Sequence, residues 1–432
     1  MTKTSFSRAR LRPRHATRRH HGIVMSSVAS VTLAVVGFYG SFGFASAAMI
    51  QWNANTKDIS AIAGGGDDEG DGAEYISSPV SSGDSDDPVD ENAGEDLNIL
   101  VIGSDVRSGE NENIGGYVDG ARGDTTIIVH ISADRSRVEL VSIPRDTRVA
   151  ISTCESFDGQ TQTGWTAKFN TAFSIGYGFN NDPSEAAACV MRTINDLTGI
   201  EFDGQYVVAD FSGFRDMVDA LGGVPMCIPY DVYSKKANLD LDAGAQVLNG
   251  KEALAWARAR TGYNLGDGTD LMRIERQQQL IEAIIEKALS VNAFTDVSVL
   301  TKFVKAATES FTMSEDFGSV TYDFGLLYSL RNIDLDNVVM TTTPWAYAGD
   351  GSGDVVLTSD AEAVWAAIRD DSGLQDALDE IDDANTTEDE TDSSERADLS
   401  EDESTMYLPV PPEKSYNISR DTEEEILAAC EV

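Results

Sequence analysis

From Gly22 to Ile50 the chain runs without one charged side chain, and that stretch constrains what everything around it can become. It exceeds the roughly 20 apolar residues that a helix needs to cross a bilayer. Ahead of it stand Lys3, Arg8, Arg10, Arg12, Arg14, Arg18 and Arg19, with no acid among them. Basic residues before an apolar span, with none closely following, orient the N-terminus toward the cytoplasm. The sequence therefore predicts a single transmembrane helix, an uncleaved anchor in the cell membrane. Ala45-Ser46-Ala47-Ala48 resembles a cleavage site, so a cleaved secretory signal is the rival reading. In both cases everything beyond about residue 52 lies outside the cytoplasm.

The formal charge of −41 over 432 residues is unevenly spread. Acid accumulates in two stretches, 67–96 and 370–403, each nearly free of Lys and Arg. Long like-charged runs with few aromatics bury too little apolar surface to offset the entropy of ordering, so both read as disordered. Nucleic acid is excluded as a partner, because neutralising phosphate along a duplex needs a basic face. The expected organisation is a basic cytoplasmic tail (1–22), the anchor (23–50) and a disordered acidic Gly/Ser linker (51–95). A globular catalytic domain follows (96–370), then a disordered acidic linker (371–405) and a C-terminal segment (406–432).

Within 96–370, short apolar runs alternate with helical patterns, which predicts an α/β layered domain. Residues 97–103 (LNILVIG), 125–131 (TTIIVHI) and 138–143 (VELVSI) read as strands. Residues 184–197 have helical spacing and end at Thr198-Gly199, a C-terminal stop signal. Residues 212–221 form a short helix closed by Gly222-Gly223, and 249–260 and 270–290 read as longer helices. In the last of these, Leu271, Ile274, Leu280, Ile281, Ile284, Ile285 and Leu289 recur at three-to-four spacing.

The chemistry available is narrow. Of four histidines, His15, His20 and His21 fall in the basic tail, and His130 ends an apolar strand, where a structural role is expected. Ser-His-Asp, Cys-His and HExxH mechanisms are therefore poorly served, and no P-loop is present. What remains is carboxylate, arginine, lysine and amide, a set suited to a metal ion and a polyphosphate. Asp105 follows a buried strand, where ligands bind in open α/β sheets; it could equally satisfy turn amides after Gly103-Ser104. Arg122-Gly123-Asp124 leads into the next strand, and Arg145-Asp146 closes a third. Such pairs are usually surface ion pairs of little energetic weight, but two of them abut strands beside Asp105. Arg258 and Arg260 share a direction if their helix gives way to extended chain, and Arg273 and Gln277 share a helix face at i, i+4. Arginine's planar fork suits bidentate contact with phosphate, against the bland alternative of a solvated face.

In order along the chain, NILVIGSDVR, RGDTTIIV, VSIPRD, KFNTAF, TINDLTGI, VVADFSGFRDMVDALGGVPMCIP, LNGKEALAWARAR and DLMRIERQQQLI cover essentially 97–290. Together they resemble the LytR-CpsA-Psr family. The resemblance implies a layered α/β/α domain with a central mixed sheet, an apolar tunnel for a polyprenyl tail and charged residues at its mouth. It assigns Asp105 and Asp124 to Mg²⁺, and Arg122, Arg145, Lys168, Arg258, Arg260, Arg273 and Gln277 to pyrophosphate. Arg122, Arg145, Arg258 and Arg260 are the catalytic candidates among them; Lys168 comes from the resemblance alone. Gly123 departs from the family pattern, where Ser or Thr is expected.

The activity so implied is a phosphotransferase that moves a glycopolymer from a polyprenyl-pyrophosphate carrier to a peptidoglycan sugar hydroxyl. Hydrolysis of the same pyrophosphate, and a non-enzymatic regulator that binds lipid or cell envelope, are the alternatives. The four cysteines permit three pairings. Cys154 and Cys189 both flank the proposed site and are expected to pair, which leaves Cys227 with Cys430.

Overall fold

The computed structural model describes residues 55–64, 89–106, 121–265, 270–289, 306, 310–334 and 337–393. The expected anchor, the tail before it and the C-terminal segment 406–432 lie outside these residues. Among the described residues no helix is long and apolar enough to cross a membrane.

A seven-stranded mixed sheet is built from β1 (Asn55–Thr56), β2 (Leu97–Ser104), β3 (Gly123–Ile131), β4 (Val138–Ser142), β5 (Tyr206–Ala209), β6 (Phe311–Met313) and β7 (Val338–Thr342). Its order is β1-β6-β5-β2-β3-β4-β7. β2 runs antiparallel to β3 and parallel to β5, while β4 runs parallel to β7 and antiparallel to β3. The C-terminal ends of β2, β4, β5 and β7 and the start of β3 therefore share one edge, which is where Asp105, Asp124 and Arg145 belong.

The strands read as almost continuously apolar because both faces are covered. On one face Leu100, Ile102, Ile128 and Val141 pack against helices α1 (Thr171–Asn180), α2 (Pro183–Thr198) and α7 (Ala361–Arg369). Gly176 permits the close approach of α1 to α2, since a Cβ there would meet the Glu185 carbonyl at 2.3 Å. On the other face Leu97, Ile99 and Ile131 meet Tyr322, Leu326 and Leu330 of α6 (Val320–Ser329) and its continuation. A third cluster joins α3 (Phe211–Ala220), α4 (Gly250–Arg258) and α5 (Asp270–Leu289) through Val218, Trp256 and Leu280. The sheet thus lies between two helical layers, as expected, and the helix and strand ends read from sequence differ from those observed by one or two residues.

Both flanking segments expected to be disordered contribute to the domain. β1 extends the sheet, and Ile59 and Ile62 beside it are buried. Asp90 accepts from the buried Arg135 Nε at 2.8 Å. At the other end, Leu374–Ser393 forms a helix, α8. Leu374 is fully buried, Leu378 and Ile381 pack on the core, and the Leu374 amide donates to Glu139 at 2.7 Å. An apolar stripe at i, i+4, i+7 outweighs the acidic composition there.

His130 has the structural role expected of it. It is fully buried, with Nδ1 at 2.8 Å from Asn98 Oδ1 and Nε2 at 3.1 Å from Asp371 Oδ1. Cys154 and Cys189 form the expected disulfide, tying the chain after β4 to α2. Of the second expected pair, Cys430 lies outside the described residues.

Candidate active site

At the shared strand edge a cavity of about 1270 Å³ opens between the sheet and the second helical layer. All nine residues singled out from the sequence line it: Asp105, Arg122, Asp124, Arg145, Lys168, Arg258, Arg260, Arg273 and Gln277. Deeper in, its walls are Val101, Ile127, Val129 and Leu140 from the sheet and Phe214, Met217, Leu280, Ile281, Ile284, Ile285 and Leu330 from the helices. The residues facing the cavity on β2 and β3 alternate with those that pack under α1 and α2, so strand periodicity alone assigns them to this face. One continuous space therefore has a charged neck and an apolar body.

Register fixes the neck. Gly103 pairs with Thr125 and Ser104 with Gly123 across an irregularity in the ladder. The chain then turns so that the Asp105 amide donates to the Arg122 carbonyl at 3.0 Å and the Arg122 amide to Asp105 Oδ1 at 2.6 Å. The amide that Asp105 accepts from thus belongs to the entry of β3, seventeen residues on, and the Asp105 side chain also lines the cavity. Gly123 fits the tight spot beneath: a Cβ there would lie 3.3 Å from Ile102 Cγ2 and 3.4 Å from Phe173 Cβ.

Arg145, just past β4, reaches back to Asp124, with Nη1 donating at 2.7 Å, and its Nε donates to Asp146 at 3.3 Å. Asp146 in turn accepts from Lys168 Nζ at 2.8 Å. Burial alone would raise the Asp146 carboxyl, but Lys168 and Arg145 outweigh it and hold it below the usual range. The same bond to Asp146 holds the Lys168 ammonium above its ordinary value. Lys168 stands directly across a two-stranded ribbon from Arg148. Like charges so placed repel; Asp354 lies between them, 3.2 Å from Lys168 and 2.7 Å from Arg148.

The last turn of α4 supplies the next pair. Asn249 caps its start in a reciprocal capping box with Glu252, and the helix ends at Arg258 because Ala259 is extended (ψ 126°). Arg258 and Arg260 flank the fully buried Ala259, so both turn to the cavity. The Arg258 guanidinium lies 4.0 Å over the Phe211 ring. Arg276, on α5, holds this turn by donating to the carbonyls of Ala259 and Leu265. Gln277 braces it further: Nε2 donates to the Ala257 carbonyl at 3.0 Å, and Oε1 accepts from Thr125 Oγ1 at 3.2 Å. One turn earlier on α5, Arg273 is 2% exposed and lines the same neck.

Sequence reasoning noted Asp146 only as the neighbour of Arg145 and gave no site role to it, Arg148, Asp354, Arg276 or Lys236; Asp146 and Lys236 also line the cavity. Asp146 and Arg276 sit inside motifs already noted, so adjacency was their signal. Asp354 is more than 180 residues from Lys168 in sequence, and nothing local marks it.

Mg²⁺ is bound typically through one or two carboxylates, with waters and substrate phosphate completing an octahedron. Asp105 and Asp124 at one rim of a basic neck fit that donor set, although the described residues hold no cluster of three or more His, Cys, Asp or Glu suited to a metal.

The profile of the LytR_cpsA_psr family matches residues 71–364. The "Probable cell wall biosynthesis protein LcpB" of Corynebacterium glutamicum is 30% identical over 282 residues, which is 63% of this chain and 61% of that protein. The polyisoprenyl-teichoic acid–peptidoglycan teichoic acid transferase TagV of Bacillus subtilis is 31% identical over 195 residues, 44% of each. The chain therefore spans between 44% and 61% of the length of these curated relatives. A solved Streptococcus agalactiae structure shares the fold, with a TM-score of 0.50 and 24% identity over 65% of this chain and 88% of its own. With a family match over most of its domain and the motifs of that match gathered around one cavity, the chain belongs to the LytR-CpsA-Psr family.

Proposed function

We propose that this protein transfers a glycopolymer from a polyprenyl-pyrophosphate carrier to a sugar hydroxyl of peptidoglycan, at the outer face of the cell membrane. The observation that carries the proposal is the union of a cationic neck and an apolar body in one cavity. A polyprenyl pyrophosphate has that division of chemistry, and burying its tail contributes about 0.8 kcal/mol per CH₂. The TagV relative, named as a transferase of polyisoprenyl-linked teichoic acid to peptidoglycan, supports the same substrate class.

In this reading Arg122, Arg145, Lys168, Arg258, Arg260 and Arg273 bind and neutralise the pyrophosphate. Gln277, whose amide is engaged with Ala257 and Thr125, fixes the geometry of α4 and α5 around it. The acceptor oxygen bonds to the phosphorus attached to the glycan as the bridging bond to polyprenyl phosphate breaks, and the hydroxyl proton passes to the departing phosphate, directly or through water. Arg122, Arg145, Arg258 and Arg260 stabilise the charge that gathers on the phosphoryl oxygens, the main source of rate in such transfers. Mg²⁺ held by Asp105 and Asp124 would supply further charge neutralisation.

Incubating the protein with lipid-linked glycan, Mg²⁺ and peptidoglycan tests the proposal. Glycan joined covalently to peptidoglycan is expected. Free glycan phosphate would mean hydrolysis, and unchanged substrate would mean binding alone; each overturns transfer.

A further inference from the structure

Between Trp345–Tyr347 and Val355–Leu357 a hairpin turns through Gly349, Gly351 and Gly353, at φ of 73°, 76° and 76°. Glycine adopts that region without a Cβ penalty, and the residues interleaved with these glycines curl toward one another. Ser352 Oγ donates to Asp350 Oδ1 at 2.5 Å and accepts from the Asp354 amide at 3.1 Å. The hairpin is fastened beside the neck, where the Val355 amide donates to the Asp146 carbonyl at 3.2 Å.

All three polar side chains of the tip converge on Arg148. Its Nη2 donates to Asp350 Oδ2 at 2.8 Å, to Ser352 Oγ at 3.2 Å and to Asp354 Oδ2 at 2.7 Å. The other oxygen of Asp354, Oδ1, lies 3.2 Å from Lys168 Nζ. One carboxylate therefore serves two cations with separate oxygens. Lys168 and Asp146 line the cavity, whereas Arg148, Asp350 and Asp354 do not. The Lys168 side chain is 43% exposed and the Asp354 side chain 13%. An ammonium on a flexible four-carbon stem, so little covered, is held by its ionic partners rather than by packing. Those partners are Asp146, in the cavity wall, and Asp354, behind it.

We infer that Asp354 is a positioning residue, which keeps Lys168 at the neck by separating its ammonium from the Arg148 guanidinium. The inference rests on the function proposed above, which gives Lys168 a contact with pyrophosphate. Only a carboxylate meets the requirement, because an amide in its place accepts through one oxygen and turns N–H donors on the second cation. Lys168 and Arg148, directly opposed across their ribbon, then repel. Arg148 keeps Asp350 and Ser352, so Lys168 is the one displaced. A mere field effect has the opposite sign: deleting a negative charge beside an anion site strengthens anion binding.

The test titrates geranylgeranyl pyrophosphate calorimetrically into the full-length parent, Lys168→Ala, Asp354→Asn, those two combined, and Asp354→Asn combined with Arg148→Ala. A thermal melt matching the parent's verifies folding of each, and Asp354→Ala serves as a second variant. Lys168→Ala is expected to weaken binding roughly tenfold, as for a lost hydrogen bond between charged groups. Asp354→Asn should approach that loss, add nothing to Lys168→Ala, and regain most of the affinity once Arg148→Ala removes the repelling charge. Asp350→Asn takes the same charge from Arg148 without touching Lys168, and should leave affinity within about twofold. Tighter binding by Asp354→Asn, an equal fall with and without Lys168, or a loss that Arg148→Ala does not restore overturns the inference. An Asp354→Asn that matches a parent sensitive to Lys168→Ala sinks the inference alone. A parent that binds no lipid pyrophosphate sinks the proposed function as well.

Discussion

Arg145 Nη1 lies 2.7 Å from Asp124 Oδ1, so a carboxylate assigned to a cation is already partnered by a guanidinium assigned to phosphate. The two assignments compete within the unliganded protein and would be reconciled if pyrophosphate drew Arg145 away from Asp124. Mg²⁺ and the lipid pyrophosphate should therefore bind with positive linkage, each raising the affinity of the other by the same factor. Calorimetric titration of Mg²⁺ with and without geranylgeranyl pyrophosphate measures that factor; equal affinities would contradict it.

Arg145→Ala should lower transfer about a hundredfold while strengthening Mg²⁺ binding to the lipid-free protein, because Asp124 is released. Asp105→Ala and Asp124→Ala should abolish transfer with the melting curve largely retained. Full activity of the parent in excess chelator would remove the metal from the mechanism.

Arg273→Ala should weaken every polyprenyl pyrophosphate alike, whatever its glycan, since a phosphate contact carries no sugar information. Ile284 lines the apolar body of the cavity on the same helix. Ile284→Trp should penalise long carriers more than short ones, as read from affinities across a series of chain lengths. Affinity independent of chain length in both proteins would show that the tail binds elsewhere.

Asp323, in the first turn of α6, is pushed up to about 7 by burial. The unfolded chain releases that proton near ~4, so folding takes up a proton between these values. Stability attributable to this group is therefore highest below pH ~4 and falls as pH rises toward about 7. Asp323→Asn should raise the melting temperature at pH 8 and change it little at pH 4. A gain independent of pH would assign the effect to packing instead.

The disulfide closes a sequence separation of 35 residues. Replacing Cys154 and Cys189 together by Ser should cost about 4 kcal/mol of stability, measured by urea unfolding, with the residual activity of the folded fraction unchanged. Non-reducing peptide mapping that joined Cys154 to another cysteine would overturn the pairing.

The sequence by itself determined the strands around Asp105, Asp124 and Arg145, the amphipathic α5 and nine of the residues that line the cavity. Period-two and three-to-four patterns are local, and ordered motifs survive as strings, so both are legible without coordinates. Composition misled at the flanks, where β1 and α8 join the domain through a few apolar positions set among many acids. Tertiary structure alone decided that Asp354 would lie between Lys168 and Arg148, and that Arg276 would brace the turn bearing Arg258 and Arg260. Each of these depends on bringing distant segments together, and the pairing energies that favour such contacts leave no periodic trace in the chain.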